Sequence, residues 1–124
     1  LIENRSTNTG ENVKFTRELL ESRGVEISRV IAVQKPNMER RTLATISKQW
    51  PQLQVKVTSP KLTLEEYCNE VVPKEMLIHI MVGDLERIMR YPEMGFMTEQ
   101  EIPDRVSEAF HLLVDAGYTG HLIE

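Results

Sequence analysis

Two β-branched runs, "RVIAV" at 29–33 and "LQVKVTS" at 53–59, stand on either side of a helix-forming segment, and this spacing constrains the fold more than any other feature. The first run is continuously apolar, as in a strand covered on both faces within a parallel sheet. The second alternates Leu53, Val55 and Val57 with Gln54, Lys56 and Thr58. One dry and one wet face read as an edge strand. The pattern predicts strands near 29–34 and 53–58, with a helix opening near Asn37 and running to about Gln49. Met38, Leu43, Ala44 and Ile46 supply its apolar side, and Pro51 prevents its continuation. A parallel pair joined through a helix is the right-handed βαβ unit.

The same order extends upstream. "LIE" at 1–3 reads as the end of a buried strand, and residues Thr9 to Arg23 as a helix. Val13, Thr16 and Leu20 recur on one face of that helix, with Phe15 and Leu19 a turn apart. Asn8 followed by Glu11 has capping-box spacing, Thr9 with Asn12 is the competing register, and Gly24 supplies the stop. Helices dominate afterwards. Thr63 and Glu66 form a capping box, and Pro73 opens a helix reaching about Tyr91. "TEQEIPDRVSEAFHLLVDAG" (98–117) reads as a helix with an apolar stripe of Ile102, Val106, Ala109, Phe110 and Leu113, Pro103 near its start and Gly117 at its end. The expected division is an α/β front over residues 1–60 and an α-helical part over 61–124 packed on it.

The bulk properties exclude several classes. A net charge of −4 gives no global basic field, so nucleic acid is not an expected partner. The single cysteine, Cys68, forms no internal disulfide and fits a reducing compartment, so the expected location is cytoplasmic. The longest apolar run, "MLIHIMV" at 76–82, is too short to span a bilayer. Since the chain opens at Leu1 inside an apparent strand, a preceding segment is expected to complete the domain.

Chemistry is expected where the strands end. In open α/β sheets, ligands bind beyond the carboxyl ends of the strands. "NRSTNTGEN" and "QKPNMERR" both leave from such ends, and "TSPKLT" leaves a third. The two helices that follow the first two loops aim free N–H groups and a partial positive charge at that rim, which suits phosphate or carboxylate. Lys35, Arg40 and Arg41 would add full charges. Asn, Ser and Thr before a helix are also ordinary caps. Ser6, Thr7, Asn8 and Thr9 together exceed what capping needs, whereas Asn37 alone reads as a plain N-cap. Arg40 is balanced between a ligand and a surface role, and Arg41 reads as a solvated residue or an ion pair with a neighbouring helix. Glu11 would repel an anion on the helix end but could accept a ligand hydroxyl or act as a base. His79, His111 and His121 lack paired ligand spacing, so no metal is expected. Phe96 and Met97, after Gly95, form a loop that could cover a site or dock against a partner. No Walker loop, G-x-G-x-x-G, G-x-S-x-G or H-E-x-x-H occurs.

"ENRSTNTGENVKFTRELL" followed by "RVIAVQKPNMERRTLAT" resembles the YdcF-like and SanA-like bacterial family. Glu3, Ser6, Asn8, Thr9, Glu11 and Asn12 fall on its first loop pattern, E-x-x-S-x-N-T-x-E-N, and Arg40 on its second. The variant "KPNMERR" looks closer to the YdcF branch. Many SanA-like members have His where Asn37 stands, so no proton-transfer role carries over. The resemblance covers residues 1–58. It implies a Rossmann-like three-layer sandwich, here partial, with an additional N-terminal half that has its own glycine-rich loop and acidic residue. It further implies a small-molecule site for a ligand with an anionic group, with S-adenosylmethionine as a nucleotide-like candidate. It also implies a link to the cell envelope, hence the inner face of the plasma membrane as a second location. The expected ligand set is Ser6, Asn8, Thr9, Glu11, Asn12, Lys35, Asn37 and Arg40. The alternative is a hydrolase or transferase acting on a phosphate-bearing envelope precursor, with Glu11 as general base.

Overall fold

Valines and isoleucine at 30–33 and valines at 55 and 57 pair as the sequence requires. In the computed structural model, which describes residues 1–124, β1 (Arg29–Val33) lies parallel to β2 (Gln54–Thr58). The register runs from Arg29 beside Gln54 to Val33 beside Thr58, and the Gln34 N–H extends the ladder to the Thr58 carbonyl at 3.0 Å. The crossover is α2 (Glu39–Gln49), entered through a single 3₁₀ turn at Pro36–Met38. The protein is therefore of mixed α/β class, with roughly half its residues helical.

α1 (Thr9–Ser22) precedes the sheet. Asn8 caps it, its side-chain oxygen accepting the Glu11 N–H at 2.9 Å, so the Asn8–Glu11 register prevails over Thr9–Asn12. Gly24, at φ 66°, ends it in a backbone conformation that side chains disfavour. After β2 come α3 (Leu64–Tyr67), α4 (Lys74–Arg90) and α5 (Asp104–Asp115). The Thr63–Glu66 capping box is complete: Glu66 N–H donates to Thr63 and Thr63 N–H to Glu66. No helix is long and apolar enough to cross a membrane.

Four expectations need correction. Residues 1–3 form no strand, so the sheet has two strands rather than three. A strand exists only by pairing, and "LIE" finds no partner. Leu1 and Ile2 are 74% and 86% exposed, and the Glu3 carboxylate curls the chain by accepting the Arg5 and Ser6 N–H groups. A two-stranded sheet is short of a Rossmann sandwich. Secondly, β1 is open on one face: Ile31 and Val33 point to solvent. Thirdly, of the run at 98–117 only Asp104–Asp115 is helical; Pro103 stands at its start as expected, but Ile102 and the residues before it lie outside the helix. Pro103 disfavours helix in the residue before it, and the chain from Thr98 instead docks on α2 through the Thr98 N–H and the Ala44 carbonyl at 3.0 Å. Finally, Asn37 is no helix cap, as described below.

The core sits between α2 and α4. All ten buried residues belong to these helices or to Met97 beside them: Thr42, Ala44, Thr45 and Ile46 on α2, and Leu77, Val82, Gly83, Asp84 and Ile88 on α4. Gly83 is a close-approach glycine. A Cβ there would lie 2.2 Å from the His121 carbonyl oxygen, which also accepts the Arg87 guanidinium at 2.7 Å.

Candidate functional site

The first turn of α1 holds two backbone donors that no protein group accepts. Asn8 takes the Glu11 N–H by its side chain and the Asn12 N–H by its carbonyl, leaving the N–H groups of Thr9 and Gly10 free. These residues, with Asn8, form one wall of a cavity of about 300 Å³. The second wall is α2, through Arg41, Thr45 and Gln49. The third is the segment after α4: Tyr91, Phe96 and Met97. The rings of Tyr91 and Phe96 meet edge to face at 5.3 Å and 83°. Gln49 holds this segment by donating to the Phe96 carbonyl at 3.2 Å.

Arg41 is fixed from behind. Its Nη1 meets Asp84 Oδ1 at 2.8 Å, both side chains being largely buried, and Asn37 donates to the other Asp84 oxygen at 2.8 Å. Asn37 therefore serves a buried cluster joining the start of α2 to α4 rather than capping a helix. The Nε of Arg41 is buried without a partner. The Asp84 carboxylate offsets the guanidinium charge, so the positive character of the cavity comes from the α1 end together with a partly compensated Arg41.

Only some of the expected residues meet here. Asn8 and Thr9 line the cavity. Ser6 and Asn12 brace the loop: the Ser6 hydroxyl donates to Asn12 Oδ1 at 2.9 Å, and Asn12 Nδ2 to the Asn8 carbonyl at 3.1 Å. Glu11 turns back to Thr7, whose N–H and hydroxyl both donate to Glu11 Oε2 at 2.8 Å. These bonds hold its carboxyl below the ordinary value of 4.5, a poor setting for a general base. Glu11 lines neither cavity around α1. Lys35 is exposed and Arg40 reaches the Glu101 carbonyl at 3.3 Å; neither lines either cavity.

Arg41, Tyr91 and Phe96 were not among the expected ligand set. Arg40 and Arg41 are adjacent, and one residue of helical rotation separates a solvent-facing guanidinium from one on the cavity wall. Arg41 makes the ion pair with a neighbouring helix that the sequence suggests, with Asp84 of α4, but its place on the cavity wall follows the burial of Thr45, which the sequence pattern does not show. Tyr91 lies some eighty residues from the α1 loop and had none, whereas Phe96 and Met97 belong to the loop after Gly95 that the sequence marks as a cover for a site.

A second cavity of about 280 Å³ lies between α1, β1 and α2. Thr9, Asn12, Gln34 and Thr42 are polar points in a mainly apolar lining that includes Val13, Val30, Ala32 and Trp50. The Thr42 hydroxyl is buried and unpaired. Thr9 and Asn12 at the start of α1 and Gln34 after β1 thus line one cavity, while Ser59 donates to Glu39 at the start of α2 outside it.

The chain is similar to an uncharacterized protein of Streptomyces coelicolor, 38% identical over 123 residues. The match takes in 99% of this chain but 56% of the relative, so the chain spans little more than half of that protein's length. No protein-family model and no solved structure matches the chain.

Proposed function

We propose that the cavity at the start of α1 binds a small molecule carrying an anionic group, of nucleotide-like build. The observation that carries this reading is that one cavity is lined both by Thr9 and Gly10, whose N–H groups have no protein acceptor, and by Arg41. Such donors match phosphate or carboxylate oxygens. The Tyr91–Phe96 pair opposite offers an apolar, aromatic surface on which a planar base can rest. The volume, about 300 Å³, lies at the lower end of small-ligand sites. S-adenosylmethionine, with a carboxylate at one end and adenine at the other, is one member of this class. The parallel pair with its crossover helix fits one part of a Rossmann-like sandwich, although the cavity lies against α1 and α2 and not at the strand ends. A catalytic role for Glu11 draws no support from the geometry, since its carboxylate is committed to Thr7.

Calorimetry with AMP, ATP, S-adenosylmethionine and inorganic phosphate tests the proposal, with Thr9→Pro as the diagnostic variant. Proline is at home in the first position of a helix, Asn8 already has the extended backbone that precedes proline, and the Thr9 N–H has no protein acceptor to lose. The variant therefore keeps the fold and removes one ligand donor. Binding by at least one nucleotide is expected, weakened about tenfold by Thr9→Pro. Silence across the panel, or unchanged affinity in the variant, contradicts the reading.

A further inference from the structure

The face of the sheet turned away from α2 carries Arg29, Ile31 and Val33 from β1 and Gln54, Lys56 and Thr58 from β2. Every one of these six residues is exposed, and Ile31 and Val33 are 68% and 73% open to solvent. The register sets Ile31 beside Lys56 and Val33 beside Thr58, so an apolar strip is flanked by two cations with no acid among them. Parallel sheets are covered on both faces almost without exception, because their crossover helices lie there. Here α2 covers one face of the pair and the other is open. The chain as a whole exposes 8774 Å², whereas a folded monomer of this mass exposes about 6,800 Å². This face is one part of that excess, which also includes residues such as Leu1, Ile2 and Val71.

We infer that this face is the seat of an amphipathic α-helix whose apolar stripe covers Ile31 and Val33 and whose flanking acidic residues pair Arg29 and Lys56. A second copy of the chain is the poorer occupant. Two copies face to face would bring together two surfaces that each carry Arg29 and Lys56 and no acid, with no opposite charge to pair them. The helix comes instead from polypeptide of the kind the Streptomyces relative carries outside the matched span, which is 44% of its length by difference from the 56% matched. The inference is independent of the ligand cavity, which opens on the α1–α2 side.

Thiol labelling tests it. Cysteine replaces Ile31 in this chain, in a Cys68→Ser background, and replaces the aligned residue in the intact Streptomyces relative. A cysteine at Leu112, 70% exposed on α5, is the control in both. The position-31 thiol is expected to react in the isolated chain as fast as the Leu112 control, and about 100-fold more slowly in the intact relative. Equal reactivity in the two proteins overturns the inference. So does protection in the isolated chain accompanied by a doubled mass in light scattering, which assigns the face to self-association. Carbodiimide cross-linking from a lysine placed at position 56 of the relative reads the charge complement. A bond to an Asp or Glu outside the matched span is expected, and the absence of any such bond overturns the acidic flank.

Discussion

The two sides of this molecule are built to different standards. Between α2 and α4 lie all ten buried residues, with a hydrogen-bonded ion pair, Arg41–Asp84, at the centre. Across the βαβ crossover, α1, β1 and β2 contribute no buried residue at all. Yet the sheet side has the more strongly β-branched sequence and is about as apolar. Apolar character thus records what a segment is meant to pack against, and burial records what it has found. The candidate cavity sits where the two sides meet, with α1 on the open side and Arg41 on the closed one.

The contrast breaks most visibly at Asp84. Asp84→Ala leaves the Arg41 guanidinium buried and unpaired and removes the acceptor of Asn37. A loss of about 3–5 kcal/mol in urea unfolding is expected. A loss under about 1 kcal/mol would place the stability of the chain elsewhere. Equivalent truncations on the two sides sharpen the comparison further. Ile88→Ala, in the α2–α4 core, should lower stability by about 3 kcal/mol through the cavity it leaves. Ile31→Ala, on the open strand, should change it by less than about 0.5 kcal/mol in this chain. Similar losses at both sites would mean that the sheet face is packed in solution.

The crossover and the caps were legible because their signals are local. β-branched runs, Pro51, the Asn8–Glu11 spacing and the Thr63–Glu66 box each act within a few residues. The strand at 1–3 was misread for the opposite reason. Its apolar residues carry strand character, but pairing requires a neighbour that local sequence cannot supply. Asn37 was read as a cap because its partner, Asp84, lies 47 residues away. The polar α1 loop was recognisable as one wall of a candidate site. The wall made by Tyr91 and Phe96 depends on how the segment after α4 folds onto α2, through the Thr98–Ala44 and Gln49–Phe96 bonds.

Smaller effects mark the α1 end itself. Asn8→Ala removes the cap and should cost about 1 kcal/mol. Glu11 reports on the same loop through pH. Its folded-state value lies below 4.5, so its contribution is complete above pH 4.5 and fades as pH falls through that lower value. The Thr7 amide resonance should titrate with a midpoint below 4.5 and stop doing so in Glu11→Gln. A midpoint at or above 4.5 would mean that the Thr7–Glu11 bonds do not hold the loop in solution.

The most direct measurement is a nitrogen–proton NMR titration of the whole chain with ATP and S-adenosylmethionine. The amides of Thr9 and Gly10, together with the Arg41 Nε–H, should show the largest shifts, with saturation and a common binding constant for at least one of the two ligands. Shifts that spare Thr9 and Gly10, or that gather on the exposed Lys35 and Arg40 instead, would contradict a binding site at the start of α1.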